Sequence, residues 1–480
     1  MRPLNNRTLT SYAGTAQMPR YNRADVTAGI LHLGIGAFHR AHQAVYIDTI
    51  LRDAPGWGIL GASLRRADTR IALEPQDGLY TLAVRDGDML RTRVIGSVLR
   101  VLDWAQNAQA ILAAFADPNI RIISLTVTEK AYCRTPSGDD LDTTLPVIRD
   151  DLSGRGLRSV PGILVAGLER RRREGGGPVT VLSCDNLPDN GPTTGRVVRQ
   201  FAQISNPDLV AWIDENVSFP ASMVDRITPA TTQTDIDVIN DVTGLTDTWP
   251  ITTEPFSQWV IEDDFAAGRP QFEAAGVQMV SDVRPFEVMK LRILNGAHST
   301  LAYAGSLIGY EFVAEAMDDP VLSALLTQTV MNEVIPTLDL PPEDLAAYWD
   351  TLLARFANKS LHHRLDQIAQ DGSQKLPQRL LAPIRENLSV DRPVTGLTFG
   401  VAAWIVWIQR RRTRGLALVD PMADQLTALI DQANGNTTDL VHLILEDSGL
   451  FEGLSADGRF SRQVTDHAIG LSTGGGVAPV

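Results

Sequence analysis

The sequence predicts two dissimilar halves: an α/β half built on a mostly parallel sheet, then a mostly α-helical half. Three observations predict this. Short apolar runs alternate with helical patterns through the first half. A glycine-containing turn follows the first of those runs. From about Phe286 onward a 3.6-residue period dominates and strand signals almost vanish.

Taken in order, residues 29–34 (GILHLG) read as a buried strand and residues 57–64 as a second. Between them a helical pattern runs through Leu51. Further buried strands are expected at 121–127 and 179–183, with helical stretches between them. Strands alternating with helices over such distances argue for parallel pairing with helices on both faces. In the second half the long helical segments are 286–308, 319–334 and 398–411. The expected domains are therefore residues 1–285 and 286–480. There are no internal repeats, and Gly474-Gly475-Gly476 reads as a frayed terminus.

Composition narrows the function. The chain has 480 residues, 44% hydrophobic and 21% charged, enough for a sizeable core. A formal net charge of -14 offers no general positive field, which argues against nucleic acid or an anionic membrane surface as partner. An anionic small molecule would need a local basic pocket. Cys133 and Cys184 make neither a disulfide framework nor a zinc cluster, and no Cys/His/carboxylate set has zinc spacing. The polar N-terminus lacks a signal-peptide core, and the apolar run 397–408 is too short for a bilayer. A soluble cytoplasmic protein acting on a small molecule is expected. Related folds occur as monomers and oligomers, and nothing here selects between them.

Gly34 and Gly36 stand between a strand and a helix, where a dinucleotide-binding Rossmann-type domain needs them. The first glycine permits the tight turn, and the second lets backbone approach a pyrophosphate. Ala37, Phe38, His39 and Arg40 complete the turn. His39 occupies the third glycine position, so an ordinary βα loop fits the motif equally well. After the second strand, Asp68 could hold ribose hydroxyls and favour NAD(H). Arg65 or Arg66 could accept a 2′-phosphate, which leaves NADP(H) open, or could simply be solvated.

The segment Lys290-Leu-Arg-Ile-Leu-Asn295-Gly-Ala-His298 is strongly helical in pattern. At a uniform 100° per residue, Asn295 falls about 140° and His298 about 80° from Lys290, with Glu287 about 60° to the same side. A desolvated lysine can serve as general base for alcohol oxidation, and amides can hold the developing alkoxide. The spacing fits a solvated helix face as well. Other polar groups in apolar surroundings are Cys184-Asp185-Asn186 and Thr126 to Lys130 at strand ends, Asp225-Arg226, and a basic cluster of His362, His363, Arg364, Lys375 and Arg379.

Seven segments occur in order: GIGAFHRAHQ, SLTVTEKAYC, SCDNLPDNG, FPASMVDRITP, EPFSQWVIEDDF, MKLRILNGAHS and DGSQKLPQR. Together, over roughly residues 28–465, they closely resemble the polyol-specific long-chain dehydrogenase/reductase family. That family includes mannitol 2-dehydrogenases and fructuronate reductases. The resemblance implies a Rossmann-type N-terminal domain, a helical C-terminal domain, and a metal-free active site between them using NAD(H). It implies Lys290 as general acid/base, Asn186 and Asn295 as alkoxide donors, and His298 as the substrate-orienting residue. It places Asp225 behind them, and Glu129 and Glu287 near the entrance. DGSQKLPQR and the preceding HHR look more like fructuronate reductases than mannitol dehydrogenases. That implies reduction of D-fructuronate to D-mannonate, with Arg364, Lys375 or Arg379 holding the carboxylate; a neutral-polyol enzyme is the alternative. Ala297, Ser257 and Asp264 depart from the family's usual serine, arginine and asparagine, which bears on substrate preference.

Overall fold

The computed structural model describes residues 1–135, 138 and 140–473, so the expected frayed Gly474-Gly475-Gly476 lies outside the described residues. The chain divides into two compact units, Met1–Arg284 and Pro285–Val480.

The first unit is organised by six parallel strands: β1 (Ala28–Leu33), β2 (Gly58–Ser63), β3 (Val98–Asp103), β4 (Ile122–Leu125), β5 (Val179–Ser183) and β6 (Val217–Ser218). Their spatial order is β3-β2-β1-β4-β5-β6. This is the doubly wound dinucleotide order, whose reversal point lies between β1 and β4. Register follows the apolar runs: Leu31 pairs with Leu60 on one side and Ile123 on the other, and Ile123 pairs with Val181. The period of two sorts side chains between two cores. Leu31, Leu33, Ile123 and Val181 pack with Phe115, Leu164 and Phe201. Those three come from α3 (Trp104–Ala116), α4 (Val160–Glu174) and α5 (Asn190–Ser205). Ile30, Ile59, Ile122 and Leu182 face the other way, against Tyr46, Ile47 and Ile50. With both faces covered, the strands read as nearly continuous apolar runs.

The turn after β1 leads into α1 (Ala37–Ala41), and the chain breaks at His42 (φ -121°, ψ -89°) before α2 (Gln43–Ile50). One uninterrupted helix through Leu51 was expected; two shorter ones form. The strand pattern also misses β3, β6, a short parallel pairing of Arg2–Pro3 with Leu245–Thr246, and two three-stranded sheets. One of these pairs Tyr80–Asp86 with the hairpin partner Met89–Ile95 and with Ile251–Thr253. The other pairs Ser222–Asp225 with Gln258–Glu262, and that strand with Gln278–Val280.

The second unit is helical, and no strand longer than an isolated bridge is found among its described residues. The expected helix over 286–308 is instead an α-helix Arg284–Met289, a π-helix Lys290–Asn295 and α6 (Gly296–Ile308). Two further π segments occur: Val330–Val334, which ends the expected 319–334 helix after Pro320–Thr329, and Pro377–Leu381, which interrupts Gly372–Leu376 and Ala382–Ser389. The cause of the latter is local. Pro377 lacks an N–H and its ring crowds the carbonyl four residues back, so the helix widens there. At the centre, α7 (Thr395–Thr413) is buried on all sides from Gly396 to Ile408 and packs on α6 and on Gly458–Ser472. Its small residues permit close approach: a Cβ at Gly400 would lie 2.6 Å from Thr300 Oγ1. No helix among the described residues is long and apolar enough to cross a membrane.

Candidate functional site

In the first unit the site begins at the carboxyl edge of the sheet. Gly34 has φ +95°, and a Cβ there would sit 2.1 Å from the Thr126 carbonyl, so no other residue fits. A Cβ at Gly36 would meet only the Gly34 carbonyl, at 3.7 Å, so the missing side chain leaves open room. A cavity of about 380 Å³ lies along this edge, lined by Gly34, Gly36, Arg65, Arg66, Asp68 and Thr128 among others. Position, glycine geometry and donor chemistry all suit a dinucleotide. Asp68 opens a short helix, half exposed, with Arg66 3.9 Å away.

His39 and Arg40 do not face this cavity. His39 is buried and stacks on His32, ring centroids 3.4 Å apart. Arg40 is buried, donates to the Trp249 carbonyl at 2.6 Å, and accepts from Tyr80 Oη through its own carbonyl. Phe38 stacks on His42. The expectation of side-chain contacts from His39 and Arg40 to cofactor is therefore corrected: burial gives both to the interior. Of the turn, Gly34, Ile35 and Gly36 line the cavity.

Beside the turn, His32 bridges Ser124 Oγ and Thr126 Oγ1 (2.9 Å each), and Thr126 Oγ1 donates to the Gly34 carbonyl at 2.8 Å. Beyond β5, Asp185 is buried, and its carboxylate accepts from the backbone N–H of Val127 (3.0 Å) and Thr128 (2.8 Å) and from Tyr132 Oη (2.7 Å). Burial raises the Asp185 carboxyl above its ordinary range, while these three bonds pull it back. Asn186 follows, exposed at the strand end, and Glu129 is exposed on the turn Glu129–Tyr132. Asp225 is buried at the end of its strand. Its neighbour Arg226 donates to the carbonyls of Ala41 and Glu254.

In the second unit the polar face forms on the π turn. Its bonds run from residue i to i+5, as in the Gly296 N–H to Leu291 carbonyl contact. Residues five apart therefore come nearly into line, so Lys290 and Asn295 are closer around the axis than the uniform 100° step predicts. Arg292, on the buried side, anchors the turn through Glu386 (2.7 and 2.5 Å) and the Thr337 carbonyl (2.9 Å). The π segments 290–295 and 377–381 pack together. Arg379 Nη1 donates to the Asn295 carbonyl at 3.3 Å and to Ser299 Oγ at 3.0 Å. One turn on, buried His298 stacks on Phe356 (4.3 Å) and meets His363 edge-on (5.2 Å). Burial pushes His298 well below the ordinary histidine range, and His363, Arg355 and Arg379 push it further.

The family models that match are the mannitol dehydrogenase Rossmann domain, over residues 28–274, and the mannitol dehydrogenase C-terminal domain, over residues 282–469. The chain belongs to the mannitol dehydrogenase family. It is an oxidoreductase of that type. An uncharacterised oxidoreductase of Escherichia coli (strain K12), YeiQ, is 44% identical over 418 residues, 86% of each chain. The D-mannonate oxidoreductase of the same organism is 42% identical over 442 residues, 90% of each. Among solved structures, the ternary complex of Pseudomonas fluorescens mannitol 2-dehydrogenase with NAD and D-mannitol superposes with a TM-score of 0.84. It is 37% identical and covers 98% of this chain and 97% of that one.

Within this mannitol dehydrogenase fold the three basic candidates separate. Arg364 is spent on surface ion pairs with Glu311 and Asp366. Lys375 donates to the carbonyls of Ile368 (3.1 Å) and Gln370 (2.5 Å), which end a short helix. Arg379 is bonded to the π turn that bears Lys290 and Asn295, through the Asn295 carbonyl. Glu287 is half-buried one turn before Lys290. Sequence reasoning missed the roles of Arg292, Arg355 and His363. The motif MKLRILN contains Arg292, but nothing local to it shows a partner at Glu386. Among the described residues no group of three or more His, Cys, Asp or Glu is placed to hold a metal.

Proposed function

We propose that the protein catalyses NAD(H)-dependent interconversion of a hexulosonate and a hexonate, specifically D-fructuronate and D-mannonate. The observation that carries the choice of substrate is Arg379, bonded to Asn295 and Ser299 beside buried His298, with Arg355 adding to the cationic surroundings. A planar guanidinium suits a carboxylate because it can offer two parallel N–H donors. Similarity to the E. coli D-mannonate oxidoreductase supports the same reading.

In this reading NAD(H), held at the glycine turn with its ribose toward Asp68, supplies or accepts the hydride. Lys290 gives a proton to the oxygen of the ketone as it becomes an alcohol, and removes it in reverse. Asn186 and Asn295 donate hydrogen bonds to the alkoxide. His298, kept neutral by burial, can orient a hydroxyl without adding charge. Asp225 supports the substrate groups from behind, and Glu129 and Glu287 sit toward the entrance. No metal takes part.

A neutral ketose or polyol is the second reading, favoured by the similarity to mannitol 2-dehydrogenase. NADH oxidation measured in parallel with D-fructuronate, tagaturonate and D-fructose separates them. Fructuronate is expected to be preferred. Arg379→Gln should lower kcat/KM for fructuronate by about ten- to a hundredfold, the value of a charge-assisted hydrogen bond, and lower residual fructose reduction far less, since only the lost bond to the Asn295 carbonyl is common to both. A wild-type preference for fructose would establish the polyol reading instead.

A further inference from the structure

Residues 126–131 after β4 form one wall of the cavity at the glycine turn: Thr126, Val127, Thr128, Lys130 and Ala131 all line it. The wall has an unusual backbone. Thr128 sits at φ +78°, ψ 152°, a region that is essentially glycine's. A β-branched residue there is a true outlier, because its Cβ meets the neighbouring peptide groups. Such a conformation persists only where its surroundings over-determine it.

The surroundings that do so are few and can be named. On the side of the glycine turn, the Thr126 hydroxyl accepts from His32 Nε2 and donates to the Gly34 carbonyl, with its own N–H on the Leu33 carbonyl at 3.0 Å. On the far side, both N–H groups of the distorted dipeptide, Val127 and Thr128, point at one carboxylate, that of Asp185. The carboxylate is itself held by Tyr132 Oη at 2.7 Å, and Tyr132 shares its hydroxyl with Ser183 at 2.5 Å. Among the described residues, the hydrogen bonds to the Asp185 side chain come from residues 127–132, and Asp185 immediately precedes Asn186.

Two successive N–H groups can meet one carboxylate only when the peptide planes are turned as they are here. A relaxed extended strand alternates its N–H directions, so relaxing Thr128 would take one donor away from Asp185. The distorted backbone and the buried carboxylate thus require each other. We propose that Asp185 is a positioning residue: it holds Thr128 in its strained conformation, and thereby holds the cofactor wall of the cavity in register with Asn186. Asp185 touches neither cofactor nor substrate in this role. It acts through Thr128 and through its chain neighbour.

The test is a double-mutant cycle on the full-length protein, read by NADH binding through fluorescence titration and by kcat and KM for NADH. Asp185→Asn keeps the shape but replaces one accepting oxygen with a donor that opposes a backbone N–H. It should weaken NADH binding by about ten- to a hundredfold, the scale of a charge-assisted bond. Thr128→Gly removes the strain that Asp185 opposes, because glycine adopts this region freely. In the Thr128→Gly background the Asp185→Asn loss should therefore largely disappear. A merely structural aspartate would show the same loss in both backgrounds. Tyr132→Phe, which removes one bond to the carboxylate and keeps its charge, should give a smaller loss with the same dependence on Thr128, and serves where Asp185→Asn does not fold. Unchanged NADH binding in folded Asp185→Asn, or equal losses with and without Thr128→Gly, would overturn the proposal. Because NADH binding is the readout, the result is independent of which sugar the enzyme reduces.

Discussion

At the scale of single residues, the chemistry depends on how the fold sets each group's charge and neighbours. Lys290 shows this. Its position on a π turn brings it nearly into line with Asn295, whose carbonyl is fixed by Arg379. A general acid/base contributes about 10²–10⁴-fold to turnover, so Lys290→Ala should lower kcat by that range with little change in KM for NADH. Single-turnover NADH oxidation checks it, with the circular dichroism spectrum as control for folding. Near-normal turnover in a folded variant would remove Lys290 from the proton-transfer role. The lysine and its two polar companions were visible in the motif, because residue type and spacing are local properties. Their relative angle was not. The widened turn arises from packing between two separate segments, 290–295 and 377–381, and only the second carries a local sign in Pro377. For the same reason Arg364 and Arg379 looked alike in sequence. What separates them is that Glu311 and Asp366 flank the first, while Ser299 and the Asn295 carbonyl receive the second.

At the scale of elements, the apolar runs at β1, β2, β4 and β5 were legible because a strand buried on both faces must be apolar along its length. β3 was harder to see, since Arg100 interrupts its run at the sheet edge. The small sheets were missed because Ser222–Asp225, Ile251–Thr253 and Gln278–Val280 are only three or four residues long, while Tyr80–Asp86 and Met89–Ile95 carry charged and partly exposed residues along their length. A different kind of element is held by one side chain. Arg171, on α4, is buried and donates to six backbone carbonyls: Phe115, Asp117, Ile120, Gly176, Gly177 and Pro178. These carbonyls lie on the two loops that deliver the chain into β4 and β5, the strands whose ends carry the cofactor wall and Asn186. In sequence Arg171 is one of four consecutive arginines, Arg170 to Arg173, and nothing local marks it out. Arg171→Met keeps the apolar stem and removes all the donors. It should cost about 3 kcal/mol, since several buried carbonyls lose their partners together. That corresponds to a fall of roughly 6–12 °C in the melting midpoint of a unit this size. Arg412→Met, which breaks only an exposed pair with Asp431, should leave the midpoint unchanged in the same thermal scan.

At the scale of the whole molecule, burial pushes five of the described histidines, His32, His39, His298, His363 and His467, below the ordinary range, and this sets a pH dependence of stability. His32 is pushed down to about 3 by burial. His39 is pushed well below the ordinary range by burial, then by His32 and Arg40, and His298 by burial, then by His363. In each case the folded pKa lies below the unfolded value of about 6.5. Above pH 6.5 both states are neutral and the stability is fully present. As pH falls below it, the unfolded chain takes up protons that the folded chain refuses, so stability is lost. The loss is about 1.4 kcal/mol per histidine for each pH unit below 6.5. Buried carboxyls with raised pKa, Asp185, Asp247 and Glu333, act with the opposite sign. Their unfolded pKa is near 4, so their contribution is present below that value and lost as pH rises through the folded pKa. The interval from pH 7 to 5.5 therefore tests the histidines, and the melting midpoint should fall across it. His39 allows the cause to be isolated. Its ring lies flat on His32, and Gln43 is the polar side chain beside it. His39→Phe preserves a stacked ring, gives up at most a weak contact to Gln43 and cannot take a proton in the unfolded state. It should match or exceed the parent midpoint at pH 7 and show a shallower fall towards pH 5.5. A slope as steep as the parent's would mean that His39 is not among the groups that refuse the proton.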